Sequence, residues 1–190
     1  MPCFIANGRT EQCKDSISGI QALYLINFGD FDPDAAPSGD VTYDATAGFE
    51  DQITAIGGAI NSLYKYELKG NNGFNTTVNT SRDNGTTFFT QTITAELKRQ
   101  DPVFHKQFKI LAYGRPHIVV RTNGNQFFIA GLQRGCDATA GSVESGVAYG
   151  DFNGYKITFE AMEEKPANFL DCSTEADLLT LLGGPTLVTT

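Results

Sequence analysis

A mainly β fold, built as a β-sandwich or a partly rolled barrel with one flanking helix and a short C-terminal helix, is what this sequence predicts. Three observations predict it. Several stretches alternate apolar and polar residues with a period of two, the mark of strands with one buried and one polar face. Asn-Gly pairs at Asn72, Asn84 and Asn123 fall between such stretches, where hairpins turn and positive φ is wanted. Only 101–114 and 174–183 carry helical signals.

In chain order, the first strands are expected at 20–28 and 41–46, with an acidic stretch at 30–40 between them, in a region near 29–48 read mainly as a long loop. In 60–69, Ile60, Tyr64, Tyr66 and Leu68 share one face, and Lys65, Glu67 and Lys69 share the other. A strand at 73–80 follows. In 86–97, Phe89, Ile93, Ala95 and Leu97 face one way, and Thr90, Thr92, Thr94 and Glu96 face the other. Asp101-Pro102 then reads as a helix cap with proline in the first helical position, and Gly114 closes the helix. Phe104, Phe108 and Leu111 form its apolar face, leaving His105, Lys106 and Lys109 mostly outside.

A hairpin turning at Asn123-Gly124 joins strands at 117–122 and 126–132. The segment 135–150, rich in glycine and other small residues, reads as a second long loop. Tyr155, Ile157, Phe159 and Ala161 then alternate with Lys156, Thr158 and Glu160. Thr174 with Asp177, a loose imitation of a capping box, opens a helix carrying Leu178, Leu181 and Leu182. The extended tail 183–190 is β-prone after Pro185. Its Leu187 and Val188 suit pairing with a sheet edge, either its own or a neighbour's.

The 190 residues favour one domain spanning 1–190, and 41% hydrophobic composition supports a real core. No apolar run reaches the roughly 20 residues of a membrane helix, and 1–15 lacks the apolar stretch of a signal peptide. The expectation is therefore a soluble chain without a membrane anchor. Nucleotide-binding glycine loops, serine-hydrolase elbows and zinc-protease motifs are all missing from the sequence. His105 and His117 read as structural, and Glu163-Glu164 are adjacent and so cannot act as a pair on one strand face. Asp30, Asp32 and Asp34 alternate, but Ala35 and Val41 occupy the positions where a calcium loop needs glycine and glutamate. The four cysteines form no metal-binding pair. Their spacing permits a Cys3–Cys13 disulfide, with reduced thiols the favoured expectation. No catalytic residue, metal or cofactor is expected, and the chain is read as a non-enzyme.

Charge is segregated. Segments 1–70 and 136–190 carry net −6 and −7, the middle 71–135 carries +5, and the whole chain carries −8. An acidic protein of this kind is a poor general binder of nucleic acid. A basic middle between acidic ends suits complementarity, within the fold or between copies. Lys106 and Lys109 are thus candidate inter-subunit contacts, alongside Leu187 and Val188.

Three features taken together resemble the tail tube proteins of tailed bacteriophages. The first is Cys13-Lys14-Asp15-Ser16-Ile17-Ser18-Gly19-Ile20 leading into Ala22-Leu23-Tyr24-Leu25-Ile26-Asn27-Phe28. The second is the Thr-rich strand at 86–97 running into the helix and then the 117–132 hairpin. The third is a glycine-rich loop followed by Asp151-Phe152-Asn153-Gly154-Tyr155-Lys156-Ile157-Thr158-Phe159 and Lys165-Pro166-Ala167-Asn168-Phe169-Leu170. The resemblance covers most of 13–170 and implies a virion protein assembled in the host cytoplasm. It implies a homo-oligomeric ring, expected as a hexamer, that stacks on neighbouring tail or connector proteins. Phage DNA would pass through it without specific binding, with Thr90, Thr92, Thr94 and Glu96 facing the lumen. Head–tail connector rings and hubs share this expectation. The alternative is a glycan- or protein-binding β-sandwich without catalysis, whose signature would be loop aromatics. The long loops offer few beyond Phe31, Tyr149 and Phe152.

Overall fold

The run Ile20-Gln21-Ala22-Leu23-Tyr24-Leu25-Ile26 has side chains to bury on both faces, and this decides the layering. In the computed structural model, described for residues 8–11, 13–14, 16–34 and 39–189, the run is strand β1 (Ile20–Ile26), buried everywhere except at Gln21. It is followed by β2 (Val41–Tyr43), β3 (Ile53–Ile56), β4 (Ser62–Glu67), β5 (Gly73–Ser81) and β6 (Thr86–Lys98). Helix α1 (Pro102–Tyr113) precedes β7 (His117–Thr122), β8 (Phe127–Ala130), β9 (Asp137–Glu144), β10 (Gly154–Glu163) and β11 (Asn168–Phe169). Helix α2 (Glu175–Leu181) and β12 (Thr186–Val188) complete the chain order.

Among the described residues there are three sheets, and none closes into a barrel. Six strands run in the order β11-β8-β7-β1-β4-β12, four in the order β5-β6-β10-β9, and β2 pairs with β3. Leu23 and Leu25 of β1, with Ile118 and Val120 of β7, share a core with Ile93, Ala95, Ile157 and Phe159 of the four-stranded sheet. Ala22, Tyr24 and Ile26 alternate to the other side. There, with Val119 and Ile129, they pack on Ile53 and Ile56 of β3 and on Leu178 and Leu181 of α2. The molecule is a two-sheet sandwich with a third, partial layer over the larger sheet.

Helix α1 is capped as its sequence dictates: the Asp101 carboxylate accepts from the Phe104 N–H at 3.0 Å, and Pro102 opens the first turn. No residue of α1 is fully buried. Phe104 and Phe108 rest on Tyr155 at ring separations of 4.8 and 5.3 Å, and Tyr66 of β4 meets Phe104 at 5.6 Å. Helix α2 has the expected capping box, with Asp177 N–H bonded to the Thr174 hydroxyl and the Asp177 carboxylate accepting from Thr174 N–H.

Several expectations are corrected. The segment 135–150 is not one long loop, because it contains β9. That strand is rich in small residues since α1 lies against it, and a Cβ on Gly141 would stand 2.9 Å from Phe108 Cζ. The strand expected at 41–46 is β2, which ends at Tyr43 and interrupts the loop near 29–48, whose residues 35–38 lie outside the described residues. β3 buries Ile53 and Ile56, three positions apart, and its partner β2 shifts register between Thr42 and Tyr43, so no period-2 pattern marks it. Of the two edges expected for the tail, Leu187 and Val188 take the chain's own. They pair in parallel with Leu63 and Tyr64 of the same chain and seal the β4 edge. Cys13, Cys136 and Cys172 form no disulfide among the described residues, and Cys3 lies outside them.

Gln91, fully buried in β6, ties the sheets together. Its Oε1 accepts from Gly131 N–H at 3.0 Å, after β8, and its Nε2 donates to the Lys165 carbonyl at 3.2 Å, after β10. Stranding a buried polar group costs about 1–3 kcal/mol. Gln91→Leu, which keeps the volume and strands the buried Gly131 N–H, should lower unfolding free energy by about that amount in urea denaturation. An unchanged midpoint would show the tie to be dispensable.

Candidate functional site

The alternation of β6 puts Thr90, Thr92, Thr94 and Glu96 on the outer face of the four-stranded sheet, away from both cores. Cross-strand register places Asn75 and Thr77 of β5 beside Thr92 and Thr90, and Lys156, Thr158 and Glu160 of β10 beside Glu96, Thr94 and Thr92. The result is a hydroxyl-rich face. Asn79 Nδ2 donates to Thr90 Oγ1 at 2.8 Å, which fixes one hydroxyl on it. Lys156 is held by Glu144 at 3.1 Å, so its charge is partly neutralised where the face meets β9. All four strands alternate in direction, and β5 and β9 are the edges of this sheet, with no further strand beyond them among the described residues.

The basic middle of the chain is only partly matched within the fold. Arg115 meets Asp137 at 3.2 Å and Arg134 meets Glu164 at 3.7 Å. Lys106 and Lys109 lie exposed on α1 and make no ion pair among the described residues. Val103, Ile110 and Tyr113 are also exposed on α1, at 57%, 50% and 82%. The helix therefore has two apolar faces, one on the sheet and one towards solvent.

At the opposite side of the sandwich, below β5, lies an apolar groove of about 630 Å³. Phe74 and Phe128 meet at 5.7 Å and Phe128 and Phe169 at 4.3 Å to form an aromatic wall, with Phe49 and Pro166 at the rim. Buried Asn168 positions the rim, because its Nδ2 donates to the Asp51 carbonyl at 2.8 Å. Sequence reading missed this groove. Of the loop aromatics it named, Phe31 is buried, Phe152 lies under Lys156 Nζ at 4.7 Å and Tyr149 is fully exposed but away from the groove lining, whereas Phe49, just past the loop, is half-exposed at the rim. The available signal was Phe49 flanked by glycine and glutamate, an aromatic with no strand partner to bury it.

The titratable groups inside the fold are held by aromatic rings and backbone groups. His117 is buried against the Phe31 ring at 4.4 Å and stacked on Phe28 at 5.3 Å. Its Nδ1 lies 2.6 Å from the Gly131 carbonyl, which can only accept, so Nδ1 carries the proton. Burial holds its pKa below the usual value. Glu163 is buried and accepts from the Gln133 and Arg134 N–H groups. Burial raises its pKa against those two bonds. Asp32 and Asp40 accept backbone N–H groups at the start of the acidic loop. Among the described residues no three His, Cys, Asp or Glu side chains gather as a metal-ligand set.

Glu175 of α2 joins the outer layer to the six-stranded sheet. It accepts from Tyr24 Oη and pairs with Lys65 Nζ, both at 2.7 Å. Burial, then the Glu175 bond, pushes the Tyr24 phenol up to about 12. The Lys65 ammonium is raised chiefly by its bond to Glu175, against burial. Burial would raise the Glu175 carboxyl, but the bonds from Lys65 and Tyr24 prevail and hold it low.

Compared with family models, curated proteins and solved structures, the chain matches none. Its class is set by the fold alone: a mainly β sandwich with a polar outer sheet face and an aromatic groove.

The Glu175 cluster makes a pH prediction. A depressed carboxyl contributes stability that is complete above its unfolded pKa of 4.5 and is lost as pH falls through the lower folded value. A raised phenol contributes stability that is complete below 10.0 and is lost as pH climbs towards about 12. Urea midpoints across pH should show Glu175→Gln losing less than the wild type on the acid side, and Tyr24→Phe losing less on the alkaline side. At pH 7, Tyr24→Phe should cost about 1.5–3 kcal/mol, the range for a hydrogen bond to a charged group.

Proposed function

We propose that this chain is a virion structural protein of a tailed bacteriophage, assembling with copies of itself into rings or a tube that conduct DNA through the tail. The observation that carries this reading is the four-stranded sheet. It has an even number of alternating strands, two unpaired edges and a hydroxyl-rich outer face. β5 and β9 run in opposite directions, so copies related by rotation about an axis along the strands present antiparallel edges to each other. Joining them around a ring removes both edges of this sheet. The outer faces of the copies would then form one wall.

A wall of Thr90, Thr92, Thr94 and Glu96, with Lys156 already paired to Glu144, offers DNA little to hold. Phosphate contacts by lysine and arginine supply most non-specific affinity. A duplex moving through such a lumen keeps its own water and counterions. The segmental resemblance to tail tube proteins supports the same reading, with neighbouring tail or connector proteins as further partners and the virion as the location. The aromatic groove favours a second reading, a glycan- or protein-binding sandwich without catalysis, because exposed phenylalanines beside polar groups are also what a binding site presents.

Sedimentation of purified protein at tens of micromolar, followed by electron microscopy, separates the two. Rings or tubes are expected, and a monomer at every concentration would favour the binding module. In a mobility-shift titration at physiological salt, duplex DNA should bind more weakly than the ~10⁻⁴–10⁻⁶ M typical of non-specific binders. Micromolar binding that strengthens steeply as salt falls would refute the passive wall.

A further inference from the structure

We infer that the solvent face of α1 docks into the phenylalanine groove of the next copy, making a second, head-to-tail contact beneath the joined sheet edges. The inference rests on the ring reading above and adds to it the residues that set which copy meets which.

Position comes first. α1 packs on the core side of the four-stranded sheet at β10 and β9, through Tyr155 and Gly141. The groove opens on the core side of the same sheet at β5, through Phe74 and Thr76. Helix and groove thus occupy the same layer at opposite edges. Their heights also agree. Gly141 is level with Ile157 and Ala95, and Ala95 stands two residues along β6 from Ile93, the partner of Phe74. Where the β9 edge of one copy meets the β5 edge of the next, the helix of the first lies beside the groove of the second.

Chemistry agrees with position. α1 has no acidic residue and offers Lys106 and Lys109 around exposed Val103, Ile110 and Tyr113. The segment at the groove rim carries Asp44, Glu50 and Asp51 around Phe49, which is 55% exposed. Two of these carboxylates are set in place locally, Asp44 by Thr46 N–H and Glu50 by Gly48 N–H. Lys165 lies 3.9 Å from Asp51 and offsets one charge, leaving the rim acidic. An apolar centre with oppositely charged surroundings on two different patches of one chain makes a heterologous contact. Such contacts close into rings or extend into filaments, and do not stop at dimers.

Paired cysteines test it directly. In a Cys3→Ser, Cys13→Ser, Cys172→Ser background, which leaves only buried Cys136, Ile110→Cys and Phe169→Cys are introduced together and the assembled protein is mildly oxidised. A ladder of disulfide-linked species beyond the dimer on denaturing gels is expected, whereas each single cysteine variant stops at the dimer. Assembled particles without a ladder would overturn the helix–groove contact while leaving the sheet-edge reading standing. A monomer at all concentrations would overturn both.

Charge reversal gives an independent arm. Lys106→Glu with Lys109→Glu should reduce the assembled fraction several-fold at low salt, with the loss shrinking as salt screens the repulsion. Adding Glu50→Lys and Asp51→Lys in the same chain should restore it. Full assembly of the first variant at low salt, or a loss that the second pair of substitutions does not restore, would also refute the contact.

Discussion

Because β1 has apolar side chains on both faces, the sheet around it must be covered twice, and the two coverings differ in kind. On one side the four-stranded sheet spends its only apolar face on the shared core through Ile93, Ile157 and Phe159. On the other side the covering is assembled from pieces: the β2–β3 pair, α2 and the loop carrying Phe31. The pieces are too small to hold themselves. They are fastened by polar ties whose partners lie far apart in sequence, Glu175 to Tyr24 and Lys65, and Asn168 to the Asp51 backbone. Everything left over, including the polar side of the four-stranded sheet, its edges and the solvent face of α1, follows from where the apolar surface has been spent.

Much of this was legible in residue order. Period-2 alternation in β6 and β10 is kept because those strands have one wet and one dry face, and both helix caps stand where Asp101 and Thr174 put them. What escaped did so for physical reasons. β9 looked like a loop because a helix presses on it and only small side chains fit, so its composition reports the neighbour instead of the strand. β4 hides a buried Leu63 on the face of Lys65, since its sheet is dry on both sides. Buried Gln91, Glu163 and Asn168 were invisible because their partners are backbone groups brought close only by folding.

The candidate surfaces divide the same way. The threonine face could be read from β6 alone, since a strand's parity fixes its faces. The groove could not, because its walls come from β5, β8, β11 and the loop before β3, and only the packing of two sheets brings them together. The lysines of α1 were legible as exposed. Their apolar neighbours Val103, Ile110 and Tyr113 lie outside the Phe104–Phe108–Leu111 stripe and stay exposed in the folded chain.

The parallel pairing of β12 on β4 has a consequence for how the chain comes to its native state. Leu63 and Leu187 are neighbours separated by more than half the chain, so this contact carries a large loop-closure entropy and forms late. Until it does, one side of β4 is a row of unsatisfied amides next to Leu63, open to any strand that drifts past. Without β12, the fold would have three unsealed long edges instead of two, and the added one would invite pairing with strands that the finished fold never meets.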